Sequence, residues 1–202
     1  HAIGDRAVRA ALDAYEYALK ENGSLDNRHH ISHLQMISKE DIPRFSELNI
    51  AATFQAVWAM PDEYITGISI PEIGIERVNK MYPIQSVFEA GGLIVGGSDW
   101  AVTTMNPLIA IETAITRKDP EDRLKGTLNK DERMGLTEML KAYTINAAYI
   151  MHQDNITGSI EAGKFADLII LDKNLYNITP NEISEVRVVA TIIEGKTVFS
   201  IK

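Results

Sequence analysis

Three residues in this 202-residue chain have the types and settings that hydrolytic metal chemistry needs. His1 opens the run His1-Ala2-Ile3-Gly4-Asp5-Arg6-Ala7, ahead of an amphipathic segment. His33 closes Arg28-His29-His30-Ile31-Ser32-His33, and Asp99 follows the apolar run Leu93-Ile94-Val95-Gly96-Gly97-Ser98. Imidazole nitrogen and carboxylate oxygen are zinc-type donors. The chain has no cysteine, so any metal must be held by these groups. Each residue also has a plainer reading. A terminal histidine is what a tag or a cut leaves behind, and a histidine near a strand end is often an ordinary polar residue. Ser98-Asp99 is good capping chemistry. Against that, a carboxylate directly after an apolar run is expensive to bury unless it meets a metal, a cation or several donors.

The elements that must position these residues alternate along the chain. Ala7, Val8, Ala11, Leu12, Tyr15, Ala18 and Leu19 recur at helical spacing and predict a helix over Asp5–Glu21, ended at Asn22-Gly23. Arg28–Ser32 reads as a strand, and Ser38 opens a helix through Leu48 with a box-like acidic turn. Asn49–Gln55 is the next strand, followed by an irregular stretch from Ala56 to about Tyr82. Pro83 starts a helix to Ala90, and Leu93–Gly97 is a strand buried on both faces. Pro107 starts a helix to about Thr116, and Thr137 caps one reaching Met151. This order predicts an α/β fold with a parallel sheet, in which His1, His33, Gln55 and Asp99 lie just past strand ends. Alternation along the strand points Ile31 and His33 to the side of His29, with His30 and Ser32 on the other. His152, near a helix end, reads as a C-terminal cap.

The last fifty residues change character. Ala166–Leu171 reads as a strand, and Val188–Glu194 and Thr197–Ile201 form a hairpin joined at Gly195-Lys196. The expected organisation is therefore an α/β part over 1–152 and a small β module over 153–202. Composition excludes several classes of partner. A net charge of −8 without a basic cluster speaks against nucleic acid and anionic membranes, and no apolar run approaches the roughly 20 residues of a membrane span. The absence of cysteine fits the cytoplasm. Acidic pairs such as Glu121-Asp122 read as solvated loop residues. No phosphate-binding glycine loop or nucleophile elbow is found.

Taken together, His1–Ala7, Ile31-Ser32-His33-Leu34-Gln35 and Gly97-Ser98-Asp99-Trp100-Ala101-Val102 resemble the amidohydrolase superfamily. The branch they resemble is family 3, the YtcJ-like metal-dependent hydrolases that include N-substituted formamide deformylase-like enzymes. Asn106-Pro107-Leu108, Ala142–Ala148 and Gly158–Leu168 look like that branch as well, so the resemblance runs through the whole chain. It implies the C-terminal part of a metal-dependent (β/α)8 TIM-type barrel, with strands of a small β-sandwich after it. It also implies that His1 and His33 are ligands after the fifth and sixth barrel strands. Asp99, after the eighth, would be both ligand and general base. The cofactor implied is a divalent metal of zinc type, one or two ions. The substrate would be a small molecule with an amide or cyclic amide bond, for which Gln55, Trp58, Trp100 and Arg28 are the candidate pocket residues.

Three positions depart from the family pattern: Ser32 where Glu is usual, His30 where Arg is common, and Ala101 where Pro is common. The His-x-His pair of the first strand is not in these 202 residues. The expectation is thus a C-terminal portion that is inactive alone. The alternative is a non-catalytic fold remnant with a scaffold or regulatory role. Open sheet edges further predict a homo-oligomer or a rearranged assembly.

Overall fold

Glycines and prolines set most of the element boundaries in the computed structural model, which describes residues 1–121 and 124–201. Asp122 of the expected acidic loop lies outside them. Helix α1 (Asp5–Asn22) starts after an extended Gly4 and buries Val8 and Leu12. It stops where Gly23, at φ 76°, turns its N–H back to the Leu19 carbonyl. Strand β1 (His30–Ser32) leads to two short helical pieces, Lys39–Asp41 and α2 (Arg44–Glu47). The single helix expected over 38–48 is thus divided. Pro43 sits at the break and has no N–H to continue the ladder, and Ser38 makes no side-chain cap.

Strand β2 (Ala51–Phe54) is buried at every position. The stretch expected to be irregular after it holds several short helices. These are a 3-10 turn at Ala56–Trp58, a π-helical turn at Ile65–Ser69, α3 (Ile70–Ile73) and α4 (Ile75–Val78). Gly74, at φ 80°, separates the last two. Helix α5 (Ile84–Glu89) and strand β3 (Ile94–Gly96) follow. Helix α6 (Pro107–Thr116) has the expected limits, with the Asn106 side chain accepting from Leu108 N–H at 3.0 Å. The helix expected over 137–151 is two, α7 (Leu136–Ala142) and α8 (Ile145–Ile150), and Gly135 rather than Thr137 precedes the first.

Strands β1, β2 and β3 pair in parallel in that order, with Ser32 beside Thr53 and Phe54 beside Gly96. The start of the chain extends this sheet. Ala2 bridges His33 in parallel, its N–H donating to Ser32 O at 3.0 Å while Leu34 N–H donates to Ala2 O at 2.9 Å. Consecutive parallel strands joined by helices, each beside its predecessor, give a twisted open segment of α/β sheet. No closed barrel forms among the described residues. The core between sheet and helices holds Val8, Leu12, Ile31, Phe45, Phe54, Ile84, Val87 and Ile111.

Arg117, fully buried, ties the loop after α6 to the core. Its guanidinium donates to the carbonyls of Leu128, Tyr82 and Met81. Burial pulls its pKa down to about 10.

A second, antiparallel sheet holds β4 (Leu168–Leu171), β5 (Val188–Ile193) and β6 (Lys196–Ser200). The hairpin turn is Glu194-Gly195, one residue earlier than expected, with Ile193 paired to Lys196 and both turn residues at positive φ. The short helical segment Pro180–Glu185 packs on α6, where buried Glu112 accepts from Ser184 N–H at 2.7 Å. No helix among the described residues is long and apolar enough to cross a membrane.

Candidate active site

The parallel sheet brings the sequence-predicted residues to one edge in chain order. His33 directly follows β1, Gln55 directly follows β2, and Asp99 lies three residues past β3. His1 joins them because Ala2 is bridged to His33. The rings of His1 and His33 then meet edge to face, with centroids 4.3 Å apart. On its other side His33 stacks on Trp58, nearly parallel at 5.5 Å. Trp58 is held there by the turn that begins at Gln55, whose carbonyl accepts from the Trp58 N–H at 3.0 Å.

His33 is buried and stands at φ 84°, with Leu34 at φ 53°. Non-glycine residues rarely adopt this left-handed region, which costs of order 1–3 kcal/mol and collects at functional sites. The strand geometry ends at this kink, so simple alternation no longer sets the direction of the His33 ring. Ahead of it the alternation holds. The parallel register sets His30 and Ser32 on the face of Thr53, and His30 Nδ1 lies 3.1 Å from Thr53 Oγ1. Burial lowers the His30 pKa from its usual value. Thr53 carries no motif, and only its place two residues before Gln55 could have signalled it.

Two polar atoms at this edge are buried without a partner, His33 Nδ1 and Gln55 Oε1. Each such atom costs about 1–3 kcal/mol if nothing meets it. The Gln55 side chain lies against Gly97, where a Cβ would stand 3.1 Å from its Nε2. Gly96 is likewise filled from the other side. A Cβ there would fall 2.4 Å from the ring of Tyr143, whose burial raises its phenol pKa. Sequence reasoning did not single out Tyr143, and a glycine in a strand is its only signal.

Asp99 is exposed, at φ 54°, within a turn where Val102 N–H donates to its carbonyl at 2.7 Å. The burial argument made for it from sequence therefore does not hold. It is also not brought into one cluster with the histidines. Among the described residues no group of three or more His, Cys, Asp or Glu is placed to hold a metal ion. Trp100, beside it, is 64% exposed.

Arg28 does not join the site, which corrects its expected place in the pocket. It precedes β1 and so lies at the opposite end of the strands. There its guanidinium binds Asp154 at 2.5 Å, Asp26 at 2.9 Å and the Tyr149 carbonyl at 2.8 Å, and it covers the Tyr149 ring. His152 follows Met151, which is the C-terminal cap residue of α8, and lies at φ 57° rather than being the cap itself as expected.

The donor chemistry fits a divalent metal in part. Two imidazoles in contact, one with a buried ring nitrogen left over, suit zinc. A four-coordinate site needs further donors from Asp99, water or protein beyond these residues.

Residues 1–199 match the amidohydrolase family profile. The chain belongs to the amidohydrolase family. It is 35% identical over 202 residues to Protein LONG AFTER FAR-RED 3 of Arabidopsis thaliana, covering 98% of this chain and 33% of that protein. It is 28% identical over 195 residues to N-substituted formamide deformylase of Arthrobacter pascens, covering 96% of this chain and 35% of that one. The chain thus spans about a third of the length of these relatives. An uncharacterized metal-dependent hydrolase from Pyrococcus horikoshii shares the fold, with TM-score 0.73 at 23% identity over 89% of this chain and 34% of that one. The family 3 resemblance of the sequence motifs agrees with these matches.

Proposed function

We propose that this amidohydrolase chain supplies the C-terminal strand ends of a metal-dependent hydrolase acting on carbon–nitrogen bonds other than peptide bonds. The observation that carries this reading is the contact between His1 and the kinked, buried His33, with one His33 ring nitrogen left without a partner. A relative that deformylates N-substituted formamides supports an amide-type small molecule as substrate. In this reading residues 1–152 belong to a (β/α)8 barrel, and 153–202 belong to a β-sandwich completed by protein outside the chain.

His1, His33 and Asp99 would hold the divalent ion, zinc by donor type, in a site of one or two metals. When bound, the ion supplies Lewis acidity and makes water more acidic. The chain's own residues then do the rest. Asp99, exposed on the turn after β3, takes the proton of the attacking water and returns it to the departing nitrogen. Trp58 and Trp100 offer aromatic faces to the substrate, and Gln55 offers a carboxamide between the ends of β1 and β3.

The test is metal content and turnover measured together. The full-length protein should carry close to stoichiometric zinc and hydrolyse N-substituted formamides. His33→Ala should lose both, and Asp99→Asn should lose turnover by about a hundredfold or more. The 202-residue chain alone should bind zinc weakly and turn over nothing. Stoichiometric zinc with turnover in the isolated chain would refute this assignment. The absence of a three-donor cluster among the described residues favours a second reading, a non-catalytic remnant with a scaffold or regulatory role. In that case the full-length protein carries no metal and hydrolyses none of the panel. In either reading the open edge of the sheet predicts self-association, a homo-oligomer or rearranged assembly. Light scattering showing only monomer at high concentration would exclude it.

A further inference from the structure

The two unpartnered buried atoms at the strand ends are chemically complementary. Gln55 Oε1 can only accept a hydrogen bond, whereas His33 Nδ1 donates in one of the two neutral tautomers. They belong to adjacent strands. His33 N–H donates to Thr53 O at 3.0 Å, two residues before Gln55. The turn that starts at Gln55 delivers Trp58 onto the His33 ring. The Gln55 side chain does not cap the turn it begins, and no group of the described residues hydrogen-bonds either atom. His33 Nε2 is not among the buried unpartnered atoms, and no described residue hydrogen-bonds it.

We infer that Gln55 is a positioning residue for His33: its Oε1 accepts a hydrogen bond from Nδ1–H, which keeps the proton on Nδ1 and leaves the Nε2 lone pair free for a ligand. The terminal torsion of glutamine is broad and two-fold, and Gly97, lacking a Cβ, leaves the carboxamide room to turn. The consequence is selection of one tautomer before any ligand arrives. A ring that carries its proton on Nδ1 presents a ready donor pair at Nε2, and the partner on the far nitrogen fixes ring direction and raises ligand basicity. Glutamine achieves this without charge, so the site gains no additional anion. This assignment deepens the metal-hydrolase reading and rests on it only for the use made of Nε2. The tautomer itself is a property of the metal-free protein.

The experiment is nitrogen-15 NMR of histidine-labelled, metal-free full-length protein at pH 8, with the His33 signal identified by its loss in His33→Asn. Wild type should show His33 almost wholly protonated on Nδ1. Gln55→Met, which keeps the length and removes the acceptor, should give a mixture of tautomers and weaken zinc binding about tenfold to a hundredfold. Gln55→Glu, which restores an acceptor, should restore the Nδ1–H form. Wild-type His33 protonated on Nε2 would overturn the assignment even if Gln55→Met fails to fold. Equal tautomer populations in wild type and Gln55→Met would overturn it too. A correct tautomer without zinc binding or turnover would instead overturn the hydrolase reading and leave the positioning role standing.

Discussion

Replacing Gly96 with alanine tests how tightly the strand leading to Asp99 is clamped. A Cβ at Gly96 would lie 2.4, 2.5 and 2.6 Å from three ring carbons of Tyr143. Carbon atoms in contact prefer about 3.5 Å or more, so the ring must retreat by about 1 Å. It has little freedom to do so, because Tyr143 is the C-terminal cap residue of α7 and its hydroxyl reaches towards the Gly97 carbonyl at 3.5 Å. The next helix is tied to the same strand by Asn146, whose side chain donates to the Ile94 carbonyl at 2.9 Å. Overpacking of this kind costs about 2 kcal/mol. In a chain of this size that lowers the thermal midpoint by about 4–8 °C. The assay is urea unfolding of four proteins: wild type, Gly96→Ala, Tyr143→Ala and the double variant. Tyr143→Ala alone should destabilise by about 3 kcal/mol through lost packing. In its background Gly96→Ala should cost less than about 0.5 kcal/mol, giving a coupling near 1.5 kcal/mol. If Gly96→Ala costs the same in both backgrounds, the clash with Tyr143 is not what makes glycine necessary here.

Three further outcomes follow from particular contacts. Asp41 is buried and holds Arg9 at 2.8 Å and Arg44 at 3.0 Å, so Asp41→Asn should lower stability by about 2–3 kcal/mol in denaturant titration. Hydrogen bonds from Arg28 hold the Asp154 and Asp26 carboxyls below their usual value of 3.8. Carboxylates with depressed folded pKa values stabilise above the unfolded value and lose that contribution as pH falls through the folded one. The gap in urea midpoint between wild type and Arg28→Leu should therefore be constant above about pH 4 and narrow below it; a gap unchanged down to pH 2 would contradict the pairing. Glu194 occupies a left-handed position, φ 48°, before Gly195 in the β5–β6 turn. Glu194→Asn suits that turn and should raise the midpoint of unfolding by an amount equivalent to about 0.5 kcal/mol; no gain would mean that the turn does not limit stability.

Much of the fold is legible as local pattern. The period of Val8, Leu12 and Tyr15 marks α1, Gly23 ends it, and the limits of α6 follow from Pro107 and Asn106. The errors occur where local signals compete. Pro43 divides one expected helix, and the break at Tyr143-Thr144 divides another, at a residue whose ring packs on Gly96, a contact that no helical period reports. The 56–82 stretch contains proline and glycine at the spacing of a loop, yet Pro71 serves in the first turn of α3 and Gly74 separates α3 from α4.

By itself the sequence determined the family, the order of strands and helices, and which residue types stand at the strand ends. Those are matters of ordered motifs and periodicity, which need no distances. Only the tertiary structure decided which of these residues meet. Parallel pairing of Ala2 with His33 puts two imidazoles 32 positions apart into ring contact. The same pairing sends Arg28, which the sequence places beside them, to the far end of the strands and into the hold of Asp154. Asp99 shows the limit in the other direction. Its apolar run predicted a buried carboxylate, but the backbone turns left-handed after β3 and leaves it in solvent. Burial depends on what packs over a residue, and a sequence lists neighbours along the chain rather than across it.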